Sequence, residues 1–144
     1  MIEPILWIIS VELIGLLGIP IGLKLFKNLP DRGYTLSKTL GLLLITYLFW
    51  MIGLTDVASA SVNILIVISC FTIVSVTIFS KHAHFIVLQY KQNWQIILVG
   101  ELIFLSLFVF WVIIMSGDPS IDHTEKPMDF AFLNSLVASD NFPP

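Results

Sequence analysis

Four stretches of this sequence are long and apolar enough to cross a lipid bilayer as helices, and they constrain the fold more than any other feature. Between Glu3 and Lys24 lie 20 residues that carry one charge, Glu12, and a helix of about 20 residues spans the hydrocarbon core. The predicted spans are about 4–23, 36–54, 57–80 and 94–115. The sequence therefore predicts an all-α integral membrane protein, with a four-helix transmembrane region in residues 1–115.

The composition excludes the soluble alternatives. Hydrophobic residues make up 57% of the chain and charged residues 12%, whereas soluble domains carry about 25% charged residues. The net charge of −3 leaves no basic surface for a phosphate backbone, so no nucleic-acid partner is expected. The single cysteine, Cys70, excludes an intrachain disulfide and a cysteine-cluster metal site. The predicted solvent is the lipid bilayer, and the predicted location is the cell membrane.

The basic residues predict the orientation of the spans. Six of the seven lysines and arginines lie in two segments, one between the first two spans and one between the last two. Short cytoplasmic loops hold an excess of such residues, so the N-terminus and the C-terminal tail are predicted to be extracytoplasmic. Lys27, Arg32 and Lys38 are predicted to contact anionic lipid head groups. The alternative is that these residues serve only as the orientation signal.

The tail, residues 116–144, differs in composition from the rest of the chain. A short helix is predicted at about 127–139, with Pro127 at its first position. Few of its side chains are polar, so it is expected to lie at the membrane surface or to pack against other helices. The last two residues are both proline, an unusual ending, and the chain is expected to be the N-terminal part of a longer protein.

Two acidic residues fall inside predicted spans and are functional candidates for that reason. Counted along the helices, Glu12 lies roughly 10 Å below the outer surface and Glu101 roughly 10 Å above the inner one. They are therefore not expected to form a carboxylate pair. Glu12 could line an outward-facing cavity, as in a transporter, and Glu101 could reach toward the cytoplasmic lysines. The alternative is that each is neutral or hydrogen-bonded inside the bundle.

A denser group of ionisable residues lies in the tail. Asp129 falls in the first turn of the predicted helix, where free backbone N–H groups favour an anion. Such a carboxylate could accept a proton or, together with Asp122, His123 and Glu125, hold a divalent metal ion. The alternative is that Asp129 and Glu125 only cap a helix and keep a loop hydrated.

Two smaller motifs also suggest specific contacts. Gly18 and Gly22 form a G-x-x-x-G pattern in the first span, which would permit close approach of another helix. His82 and His84 would share a face in an extended segment and could then chelate a metal. Interfacial histidines are the more ordinary interpretation of that pair.

Two segments resemble a known family. Residues 29–34 (LPDRGY), leading through Ser37 and Lys38 into 41–44 (GLLL), and residues 123–134 (HTEKPMDFAFLN) resemble the YYY-type multi-pass membrane domain. That domain of unknown function occurs in large polytopic proteins and is grouped by similarity with the GT-C membrane glycosyltransferases. The resemblance extends over essentially the whole chain.

The resemblance implies a helical membrane enzyme that takes a sugar from a polyprenyl-phosphate donor at the outer face. It implies Asp129, and second Glu125, as the catalytic carboxylate, with Mg or Mn as a candidate cofactor. Four helices do not enclose a donor and an acceptor, so this chain is expected to be inactive by itself. The alternative is a small non-enzymatic membrane protein that docks a partner through its tail helix.

Overall fold

The computed structural model describes residues 2–55, 58–117 and 126–138. Within these residues the chain forms only helices, and four of them are long and apolar enough to cross a membrane. This confirms the predicted class of all-α, multi-pass membrane protein. The orientation in the bilayer remains a prediction. The helices are α1 Glu3–Leu25, α2 Tyr34–Gly53, α3 Ala60–Gln92, α4 Trp94–Gly117 and α5 Lys126–Ala138.

Helix α3 is the element that differs most from its predicted span of 57–80. It has 33 residues, about 50 Å at 1.5 Å per residue, whereas the hydrocarbon core is about 30 Å thick. The helix continues through a kink at His82, where φ is −127° and ψ is 15°. A hydropathy pattern identifies only the part of a helix that lies in lipid. The predicted span therefore ends where the polar residues begin, although the helix continues.

This continuation corrects the interpretation of the two histidines. His82 is the kink residue and His84 follows it inside the helix, where residues two apart do not face each other. Within the part of the chain that the structure describes, no group of three or more histidine, cysteine, aspartate or glutamate side chains could hold a metal ion. The extended chelating arrangement is therefore wrong.

Helices α1 and α2 pack closely through glycines, which confirms the contact predicted from the G-x-x-x-G pattern. A methyl group on Gly18 would overlap the carbonyl oxygen of Ser37, and one on Gly22 would lie 3.2 Å from that of Gly33. Gly41 on α2 faces α1 in the same way. Because lipid is as apolar as the side chains, close backbone approach of this kind is what drives helices together in a bilayer.

Helix α3 packs across the α1–α2 pair and completes the core. Val67 and Phe71 are buried against Ile45, and the hydroxyl of Ser75 donates a hydrogen bond of 2.6 Å to the carbonyl of Leu17. Helix α4 contributes no buried residue. The core is thus made by three helices, and α4 lies beside it.

We expect Gly18→Ala to lower stability, because the added methyl group meets a helix backbone that cannot move aside. Overpacking of this kind costs about 1–3 kcal/mol. Gly117→Ala is the matched control, since a Cβ at Gly117 has nothing within 4 Å among the described residues. The measurement is thermal unfolding in lipid nanodiscs. Equal midpoints for the two variants would contradict the close α1–α2 contact.

Candidate functional site

A lysine joins the two intramembrane acids. The Nζ of Lys38, on α2, lies 2.6 Å from Oε1 of Glu12 on α1 and 2.5 Å from Oε2 of Glu101 on α4. In both contacts the ammonium donates a charge-assisted hydrogen bond to a carboxylate oxygen. We call Glu12, Lys38 and Glu101 the ion triad. It links three of the four membrane helices through one side chain.

The local packing fixes where the lysine points. Lys38 lies in the second turn of α2 and is only 8% exposed. Its stem crosses α1 at Gly15, where a Cβ would come within 2.6 Å of the lysine Cγ. The ammonium lies 3.9 Å from the centroid of the Phe104 ring on α4, a cation–π contact. A small residue on one side and an aromatic ring on the other hold the ammonium between its two carboxylates.

The ion triad holds two acids and one base. A single ammonium serves both carboxyl groups, and a charge without a partner in a bilayer is costly. The acids are less enclosed than the lysine: the side chain of Glu12 is 34% exposed and that of Glu101 is 22% exposed. Since α4 has no buried residue of its own, the bond from Lys38 to Glu101 is a principal link between α4 and the bundle.

The ion triad differs from the arrangement expected from the sequence in two respects. Counting along straight helices placed Glu12 and Glu101 at different depths, but the long lysine side chain reaches both. Lys38 was predicted to contact lipid head groups, whereas it is buried and bonded to both acids. The sequence does contain a signal for this pairing, because a lysine one turn inside a span is an ionisable group that needs a partner.

The loop between α1 and α2 is organised by one carboxylate. Asp31 accepts hydrogen bonds from the backbone N–H of Gly33 at 3.1 Å and from both the N–H and the hydroxyl of Thr35, at 2.9 and 2.6 Å. Burial alone would raise the pKa of Asp31, but these hydrogen bonds outweigh it and hold the pKa below its usual value. The ionised carboxylate caps the start of α2.

The predicted catalytic acid lies on a separate element. Asp129 is exposed in the first turn of α5. Glu125, Asp122 and His123, predicted with it as a catalytic or metal-binding group, lie outside the described residues. Among the described residues, Asp129 makes no hydrogen bond or ion pair with the ion triad or with the loop between α1 and α2.

The comparisons with known proteins give one match. A family model described as "Uncharacterized membrane protein (DUF2298)" matches residues 43–144. No curated protein and no solved structure matches the chain. The matched region includes Glu101 and Asp129 but begins after Lys38.

Proposed function

The chain belongs to the DUF2298 family of uncharacterized membrane proteins, and from that starting point we propose that it is part of a membrane glycosyltransferase with a polyprenyl-phosphate sugar donor. The proposal rests on the resemblance to the YYY-type domain and its GT-C grouping. The observation that supports it best is the exposed carboxylate of Asp129 at the start of α5, after the last membrane helix.

Two features of Asp129 support its proposed role as the catalytic base. A carboxylate in the first turn of a helix is stabilised as an anion by the helix dipole, and its exposure leaves it accessible to an acceptor hydroxyl. In the proposed reaction Asp129 takes the proton of that hydroxyl. The hydroxyl oxygen then bonds to the anomeric carbon of the sugar, and the bond from that carbon to the phosphate oxygen breaks, so that polyprenyl phosphate leaves.

A divalent metal ion is compatible with the one predicted ligand that is described. Asp129 supplies carboxylate oxygens, the donors that Mg and Mn prefer. A metal there would stabilise charge on the departing phosphate. Glu125, Asp122 and His123 remain the other proposed ligands.

The proposal is tested by donor turnover. The protein, purified in full from its own membrane, is reconstituted in vesicles with a polyprenyl-phosphate sugar and an acceptor alcohol. We expect release of polyprenyl phosphate together with a glycosylated acceptor, in proportion to the protein added. Donor that remains intact across a panel of sugars and acceptors would contradict the proposal.

A second candidate, docking of a partner protein through α5, is favoured by the exposed apolar side chains of that helix. Phe132 is 61% exposed and Leu133 is 60% exposed, so the helix presents aromatic and aliphatic area of the kind found in interface cores. In this case Asp129 would only stabilise the start of the helix.

A further inference from the structure

A cavity of about 430 Å³ opens at the end of the bundle that carries the loop between α1 and α2. Helices α1 and α3 and the loop form it, and its wall is divided between two kinds of residue. The basic side chains are Lys24, Lys27, Arg32 and His82. The remaining wall is apolar and includes Leu23 and Ile86, which belong to the buried core.

The lysines and the arginine of this cavity have no ion-pair partner in residues 2–55, 58–117 and 126–138. Among the residues that the structure describes, no carboxylate lies within salt-bridge distance of Lys24, Lys27 or Arg32. Asp31 is next to Arg32 in sequence, but its oxygens accept hydrogen bonds from Gly33 and Thr35. Three permanent cations therefore share one cavity, and no carboxylate of the described residues forms an ion pair with them.

One of these cations is held in place by the fold. Arg32 has a φ of 50°, a left-handed conformation that few residues other than glycine adopt. Its guanidinium carbon lies 5.0 Å from the centroid of the Phe85 ring, which fixes the side chain over α3 by a cation–π contact. A planar guanidinium that is already oriented can bind two phosphate oxygens at once with little loss of side-chain entropy.

The kink in α3 lies in the same wall. His82, the residue with non-helical angles, has its ring Nδ1 3.1 Å from the carbonyl oxygen of Ile78. Because a carbonyl oxygen only accepts hydrogen bonds, Nδ1 carries a proton and donates it to this bond. The other ring nitrogen, Nε2, is then the one that can bind an external group.

We propose that this cavity binds the phosphate group of an anionic lipid. Unpaired cations on the rim match a phosphate, and the apolar wall toward the core matches the first carbons of a lipid chain. Basic pockets between membrane helices have this combination when they bind head groups. The site does not rest on the proposed glycosyl transfer, and its lysines and arginine precede the region matched by the family model.

The test compares two double variants of the full chain in phosphatidylcholine nanodiscs that contain a minor fraction of phosphatidic acid. Lys27→Gln/Arg32→Gln removes two cations from the cavity. Lys81→Gln/Lys91→Gln removes two exposed cations from the same end of the bundle, outside the cavity. Native mass spectrometry gives the amount of phosphatidic acid that each protein retains.

We expect retention to fall about tenfold or more in the cavity variant, since each cation near an anionic lipid contributes about a factor of five. The control should lose several-fold less, because its lysines do not line the cavity. Lys24→Gln, an exposed position, provides a single-site check with an expected loss of about fivefold. Equal losses in the two double variants would overturn the proposal, because that result would mean that general surface charge, and not the cavity, retains phosphatidic acid.

The source of the phosphate is tested with inorganic phosphate. We expect millimolar inorganic phosphate to leave the retained phosphatidic acid in place, because a free anion lacks the apolar part. If inorganic phosphate binds to the cavity while phosphatidic acid is not retained, the ligand is a soluble phosphate compound and the lipid proposal is overturned.

Discussion

Lys38→Met should destabilise the protein more than any other single substitution considered for its membrane helices. The change leaves Glu12 and Glu101 without their shared cation in a low-dielectric region. Removal of one partner from a buried ion pair costs about 3–5 kcal/mol, because the remaining charge is uncompensated. The measurement is denaturant unfolding in lipid bicelles. Lys91→Met, an exposed lysine at a helix end, is the control and should change stability by less than about 0.5 kcal/mol.

A second variant distinguishes the effect of the missing charge on stability from the effect of the changed side-chain packing. In the triple variant Glu12→Gln/Lys38→Met/Glu101→Gln the charges are gone but the volumes are similar, so stability should largely return. A triple variant as unstable as Lys38→Met alone would mean that packing, rather than charge, explains the effect.

Asp129→Asn should lower the rate of sugar transfer by about a hundredfold or more, because general acid–base groups contribute about 10²–10⁴ to rate. The amide has nearly the size of the carboxylate but cannot accept the acceptor's proton. The measurement is kcat for donor turnover with the full protein in its own membrane lipids. Glu3→Gln is the matched control, since Glu3 is also the acidic residue in the first turn of a helix.

A purely structural Asp129 would give another result. Loss of a charge from a helix N-terminus costs about 0.3–1 kcal/mol of stability and would leave kcat within the range of the Glu3→Gln control. If Phe132→Ala at the same time abolishes association with a co-purified protein that Asp129→Asn retains, α5 is a docking helix, and the catalytic assignment is wrong.

Much of the fold follows from sequence because a bilayer permits few backbone arrangements. Uncharged segments of spanning length must be helical, since lipid offers no hydrogen-bond partner for free backbone groups. The glycine pattern at Gly18 and Gly22 likewise predicted a close helix contact, since only a residue with no side chain lets two backbones meet. The length of α3 could not be predicted from the sequence. The apolar segment ends where the polar residues begin, whereas the helix extends to Gln92.

The ion triad was harder to predict than the spans. The depth of a residue along a helix gives the position of its Cα, but Lys38 and the two glutamates have side chains long enough to bridge the difference. Which basic residue near the start of α2 enters the bundle depends on the neighbouring helix, where Gly15 leaves space for the stem of Lys38. That information lies in the pairing of α1 with α2 and is absent from either segment alone.

The most direct test of this account is the measurement of the distances from the Lys38 ammonium to the two carboxylates in a bilayer. Solid-state NMR on protein labelled with ¹⁵N at lysine Nζ and ¹³C at glutamate Cδ gives these distances as dipolar couplings. The account predicts strong coupling of one lysine nitrogen to two carboxylate carbons, with one coupling lost in Glu12→Gln and the other in Glu101→Gln. A Lys38 nitrogen coupled to neither carboxylate, or to only one, would contradict the ion triad.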